Sequence, residues 1–194
     1  MKIILGGPPH SGKGCLREGL KKAIIEISEG RLYPYVITAC PDGEGSWFQE
    51  AYNTDNENAT KIKQHYKSDF SEEKFKKWAA WVMNCPLPIT IVDIGGIPDK
   101  GNEIICSQAT HAILIAGNPN ELPKWRELCS TCNLEIITEI RSDYFGTQDK
   151  PLVEGHDKVY RGSVHALERG DLTIKNRPTV KALAKIIIEK SKKG

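Results

Sequence analysis

The chain has 194 residues, 39% of them apolar and 27% charged. That length suits one domain, with room for an inserted lobe, and the mix excludes a disordered or collagen-like chain. Lysine and arginine total 27 against 25 aspartates and glutamates, a net charge of +2, which excludes a general electrostatic grip on nucleic acid but leaves room for a local anion site.

Lys2–Leu5 is a short apolar run and predicts a first strand. Residues 13 to about 29 predict a helix: Leu16, Leu20, Ala23, Ile24 and Ile27 keep helical spacing, and Gly30 supplies the stop. Tyr35–Ala39, rich in β-branched and aromatic residues, predicts the second strand. Residues 40–70 are polar and read as a long functional loop or a small lobe. Ser71 caps the next helix, and Glu72 and Glu73 fill the first turn, where the positive end of the helix dipole favours acids. Phe70 and Phe75 are placed to staple across that cap, and Phe75, Trp78, Ala79 and Val82 form the buried stripe. Ile89–Asp93 is a continuous apolar run ending in an acid, the third strand. A short helix at 101–109, a strand at His111–Ala116, a helix at 121–131 and a strand at Leu134–Ile140 follow. Residues 141–176 read as irregular, with a hairpin and a mobile lid as candidates. The last helix begins at Pro178 and buries Val180, Leu183, Ala184, Ile187 and Ile188 along one face.

Strands alternating with helices predict an α/β fold: a three-layer sandwich in which a mainly parallel, five-stranded sheet carries helices on both faces. Residues 1–194 are expected to form a single domain. The longest apolar stretch, around Ile89–Val92, is far too short to span a membrane, and Met1–Gly6 is too short for a signal peptide. A soluble, cytoplasmic protein is therefore expected. The six cysteines (Cys15, Cys40, Cys85, Cys106, Cys129 and Cys132) read as small buried hydrophobes. The pair Cys129-Ser-Thr-Cys132 lacks the second pair and the nearby histidine that a zinc site needs.

The strongest signal is Gly7-Pro-Pro-His-Ser-Gly12-Lys13-Gly14, which fits G-x-x-x-x-G-K between a strand and an amphipathic helix. A chain that turns round a phosphate must point several backbone N–H groups inward, and glycine permits the angles. The helix that follows presents its own N–H groups and positive dipole end to the same anion. Gly7, His10, Ser11, Gly12, Lys13, Gly14 and Cys15 are the candidate nucleotide-binding residues, and Lys13 reaches for the terminal phosphates. His10 serves either a terminal phosphate or second substrate, or simply the loop backbone. One departure matters. The usual hydroxyl residue after the lysine, a magnesium ligand, is Gly14, and Cys15 follows with a soft thiol that suits magnesium poorly. Magnesium would then rest on nucleotide phosphates, water and a carboxylate elsewhere.

Asp93 ends an apolar strand and is the candidate carboxylate, placed to bind magnesium directly or through water. Asp93-Ile-Gly-Gly96 also matches the D-x-x-G of nucleotide switches, in which a glycine, here Gly96, senses the γ-phosphate. Asn118-Pro-Asn-Glu121 lacks the lysine of a guanine-specific N-K-x-D, so a GTPase is disfavoured. No glutamate follows Asp93, so the chemistry reads as closer to a kinase, with a second substrate as acceptor. For that substrate, Asp42 or Glu44 could take a hydroxyl proton and Trp47 could stack on a ring. Arg161 and Arg169 are candidates to stabilise charge on a transferring phosphoryl group, from the lid. Lys124 and Arg126 read as solvent-facing.

With these residues in view, the chain resembles P-loop NTPases of the nucleotide-kinase-like kind. More narrowly, it is similar to the AAA-labelled domain found fused or adjacent to the CRISPR-associated ring nuclease that degrades cyclic tetra-adenylate. The resembling segments are Gly6-Gly-Pro-Pro-His-Ser-Gly-Lys13, Cys40-Pro-Asp-Gly-Glu-Gly-Ser-Trp47, Val92-Asp-Ile-Gly-Gly96 and Arg177-Pro-Thr-Val-Lys-Ala-Leu183. The resemblance implies nucleotide binding, with ATP and Mg2+ as cofactors, in an antiviral CRISPR setting with a ring nuclease module as partner. Three functions are then in view: a phosphotransferase or ATPase using Lys13, Asp93 and Asp42 or Glu44; a non-catalytic nucleotide sensor that regulates a partner or drives homo-oligomerisation; and a binder of cyclic oligoadenylate.

Overall fold

In the computed structural model the described residues are 1–39, 55, 57, 58 and 71–192. The first strand, β1 (Lys2–Gly6), sends alternate side chains to opposite sides: Ile3 and Leu5 enter one core and Ile4 the other. Its neighbours repeat the pattern. Ile91 of β3 (Thr90–Ile94) and Ile113 of β4 (His111–Ala116) join the first core, while Val92 and Leu114 join the second. Strands apolar on both faces are what a parallel sheet buried between helical layers requires.

Among the described residues the sheet has seven strands, in the order β2-β3-β1-β4-β5-β7-β6, where β2 is Tyr35–Ala39, β5 Glu135–Asp143, β6 Lys150–Glu154 and β7 Tyr160–His165. All pairs are parallel except β6 with β7. The expected count of five strands is thus corrected to seven. The two extra strands lie in 141–176, where the hairpin candidate is present as β6 and β7 and joins the sheet. They escaped the pattern reading because β7 carries Arg161, Gly162 and Ser163 in its centre instead of an apolar alternation. Gly162 is there for close approach: a Cβ on it would stand 2.7 Å from the Lys150 carbonyl oxygen.

Helices α1 (Lys13–Ile27) and α5 (Pro178–Ser191) cover one face; α2 (Glu72–Asn84), α3 (Lys100–Cys106) and α4 (Leu122–Thr131) cover the other. Their ends follow local chemistry. The Gly30 N–H returns to the Ile25 carbonyl at 2.8 Å from a left-handed φ of 77°, closing α1 as expected. The Ser71 hydroxyl accepts the Lys74 N–H at 3.4 Å, and Phe75 meets Trp78 edge-on at 5.6 Å. Phe70, the other half of the expected staple, lies outside the described residues, as does most of the 40–70 lobe. Among the described residues no helix is long and apolar enough to cross a membrane.

One irregularity decides where a charge goes. Ala112 pairs with Ile136 but Ile113 with Thr138, so Ile137 is an extra residue in β5. The bulge shifts the alternation, placing Ile137 and Ile140 in the α1/α5 core and turning Glu139 toward α4. There Arg126 donates through Nε to Glu139 Oε1 at 2.6 Å and through Nη2 to Oε2 at 2.8 Å, and Arg161 donates through Nε to Oε2 at 3.0 Å. Arg126 is exposed, as the sequence suggested, and its guanidinium is also a two-pronged clamp on a buried acid. The Arg126 guanidinium, and Arg161 behind it, hold the Glu139 carboxyl below its ordinary value of 4.5. A carboxyl depressed on folding stabilises the fold above its unfolded pKa and loses that contribution as pH falls through the folded value. Glu139→Gln is therefore expected to lower stability at neutral pH and to flatten the acid limb of the stability profile. Urea unfolding followed from neutral pH down to about 3 checks this; an acid limb as steep in the variant as in the parent would contradict it.

Candidate functional site

The turn between β1 and α1 is carried by residues 7–12. Gly6, the last residue of β1, has no side chain because the buried Trp125 ring lies where one would go: a Cβ would stand 2.9 Å from its Cε3. Gly7 passes under β4, and a Cβ there would come within 1.9 Å of the Ile115 carbonyl oxygen. Gly12 takes a left-handed φ of 84°, and a Cβ on it would strike Leu167 at 2.7 Å. His10 also adopts a left-handed φ, 60°, and is exposed at the crest of the loop. Gly12 is the N-cap of α1, and no side chain caps that helix end. The loop therefore opens a helix whose N-terminal dipole is not covered by a side-chain oxygen.

Two polar groups inside the turn bear on what it holds. The Lys13 ammonium lies across the loop and donates to the carbonyls of Gly7 at 2.7 Å and Pro8 at 3.0 Å. The Ser11 hydroxyl is buried and finds no hydrogen-bond partner among the described residues. A buried hydroxyl without a partner is costly and calls for a missing ligand or water.

Asp93 lies beside Leu5 in the register of β3 and β1, one strand from the turn. Its carboxylate is engaged: Arg17 of α1 donates through Nη1 to Oδ2 at 2.6 Å. Arg17 is only 1% exposed and also donates through Nε to Glu18 at 3.0 Å. Sequence reasoning missed Arg17. The signal was available, since 17, 20 and 24 share the helical spacing of the buried stripe.

The Asp93–Gly96 segment does meet the loop. A Cβ on Gly96 would stand 2.7 Å from the Pro9 nitrogen, so the two turns are in contact through a glycine. Asn102, 2% exposed, holds this segment by donating to the carbonyls of Gly95 at 3.3 Å and Ile97 at 2.6 Å. Asn102 too went unnoticed in the sequence, where nothing marks a lone asparagine in a short helix.

Arg161 is engaged by Glu139 and by Asp157, the latter through Nη1 at 2.9 Å and Nη2 at 2.7 Å. Arg169 is exposed in the chain after β7, two residues beyond Leu167. His165 is tied to the buried Asp149 carboxylate, Nδ1 to Oδ1 at 2.6 Å, and meets Arg177. Asp42, Glu44 and Trp47 lie outside the described residues. Cys15, Cys106 and Cys129 are buried, and burial pushes the Cys129 thiol up to about 12.

A protein-bound magnesium ion needs hard oxygen ligands. Position 14 has no side chain, Cys15 offers a buried thiol, and Oδ2 of Asp93 is taken by Arg17. Among the described residues no group of three histidines, cysteines or acids is placed to hold a metal. The side chains at this turn do not fit the metal-ligand set expected from the motif.

No family model matches the chain, and no curated protein matches it at a significant level. Solved structures do. A protein from Borrelia burgdorferi B31 described as a plasmid partition protein, bound to AMPPNP, is similar over 97% of this chain and 96% of its own, with a TM-score of 0.56 at 13% identity. A nucleotide-binding protein from Archaeoglobus fulgidus in complex with ADP covers 96% of this chain and 87% of its own, with a TM-score of 0.47 at 9% identity. The first likeness shows a shared α/β fold.

Proposed function

We propose that this chain binds a nucleoside di- or triphosphate, ATP above all, with its phosphates seated in the turn 7–13. One observation carries this reading: the glycine-built turn at the mouth of an uncapped helix holds a buried, unpartnered Ser11 hydroxyl next to the Lys13 ammonium. Backbone N–H groups, a helix dipole and one mobile cation are the donors a polyphosphate requires. That the similar partition protein was bound to AMPPNP supports the same reading.

Between transfer chemistry and sensing, the site favours sensing. Asp93, the acid a phosphotransferase would use for its metal, is committed to Arg17. Gly96 instead touches Pro9, so a loop that shifts on taking up phosphate pushes on the Asp93–Gly96 turn. The CRISPR-related setting rests on the resembling segments, two of which, 6–13 and 92–96, meet at that contact. Kinase-like transfer would need an acceptor site formed with Asp42 or Glu44, and Arg169 as a charge donor.

Calorimetric titration with ATP and with ADP tests the reading, alongside incubation with labelled ATP. Saturable heat with both nucleotides and no release of labelled phosphate is expected. Absence of heat with either would remove the proposal; turnover lost in both Lys13→Ala and Asp93→Ala would replace the sensor with an enzyme.

A further inference from the structure

In a phosphate loop, the first turn of the following helix and the acid at the end of a neighbouring strand flank the place where a divalent cation joins protein to phosphate. Here position 14 is a glycine, and Arg17 lies three residues on, hence on the same face of α1. Arg17 reaches from that face to Asp93, with 2.6 Å between Nη1 and Oδ2. Side-chain exposure is 1% for Arg17 and 8% for Asp93, so the pair is closed to solvent. Glu18 holds the other edge of the guanidinium at 3.0 Å, which fixes its direction.

A guanidinium stays protonated at any working pH. Asp93 therefore carries a permanent counter-cation supplied by the chain itself. For a metal ion to take the same oxygen, Arg17 would have to be left buried without that partner, which the interior penalises strongly. Cys15, also in the first turn, offers a thiol, a poor ligand for a hard cation.

We infer that the Arg17–Asp93 pair replaces the protein's metal ligands, so that the loop takes nucleoside di- and triphosphates without a divalent cation. This inference rests on the nucleotide reading above. Any magnesium that arrives with the nucleotide is held by phosphate and water alone. Charge on the phosphates is met by Lys13 and the backbone donors of the turn.

The test is titration of the full chain with ADP in excess magnesium and again in EDTA. The two dissociation constants are expected to agree within about threefold, well under the tenfold that 1.4 kcal/mol represents. A second arm uses Arg17→Gln, which uncovers the Asp93 carboxylate; its affinity for ADP is expected to rise at least about threefold on adding magnesium. Binding by the parent protein that weakens tenfold or more in EDTA overturns the inference and leaves the nucleotide reading standing. No binding in either buffer overturns both. A folded Arg17→Gln protein that ignores magnesium overturns the role given to Arg17, and if that variant does not fold the parent comparison still decides.

Discussion

Arg17→Ala is expected to lower the free energy of unfolding by about 3–5 kcal/mol, the range for breaking a buried ion pair from one side. The reason lies in what is left behind. Asp93 is 6% exposed and sits at the end of a central strand, so its carboxylate cannot turn to water without disturbing β3. A surface pair of the same length would lose little, about 0–1 kcal/mol. Urea unfolding separates the two cases. The double change Arg17→Met with Asp93→Leu is expected to recover most of the loss, since apolar residues of similar volume often replace a buried ion pair at no net cost. A single-variant loss below about 1 kcal/mol would mean that water screens the pair.

Much of this architecture was legible in the sequence, and the reasons differ from element to element. β1, β3 and β4 are nearly continuous apolar runs, which a sheet buried on both sides requires. The turn at 7–12 was legible because its glycines stand where the backbone passes Ile115 and Leu167 too closely for any side chain. Gly96 was legible from its spacing to Asp93, and it does touch the loop. What escaped was charge placed inside. Arg17 and Glu139 look like surface residues by type, and only helical spacing for one and a one-residue bulge for the other turns them inward. β7 escaped because edge-proximal strands can be built from polar residues whose ladder, not whose side chains, supplies the pairing. Arg126 is exposed as expected; what escaped is the buried acid that it clamps. The acids and tryptophan proposed for a second substrate, at 42–47, lie outside the described residues, so the reading of that segment still rests on glycine spacing alone.

Lys13→Ala is expected to weaken ATP and ADP binding by about 10- to 100-fold, the equivalent of losing one or two charge-assisted hydrogen bonds at about 1.5–3 kcal/mol together. Its effect on folding should be small by contrast. Among the ammonium's partners are the carbonyls of Gly7 and Pro8, at a half-buried position where water can replace it. Two of the cations of α1 thus divide their work: Arg17, one turn further in, secures the strand end, while Lys13 serves the ligand. Calorimetry gives the affinity, and the nucleotide-induced rise in melting temperature gives an independent reading, because a ligand that binds only the folded chain stabilises it in proportion to the logarithm of its occupancy ratio. In Lys13→Ala that rise should shrink, by the equivalent of about 1.4–2.7 kcal/mol at saturating nucleotide, while the melting temperature without nucleotide stays close to the parent's. A variant that binds as tightly as the parent would show that the phosphates sit away from this turn. A variant that melts far lower without nucleotide would show that Lys13 is needed to hold the turn itself.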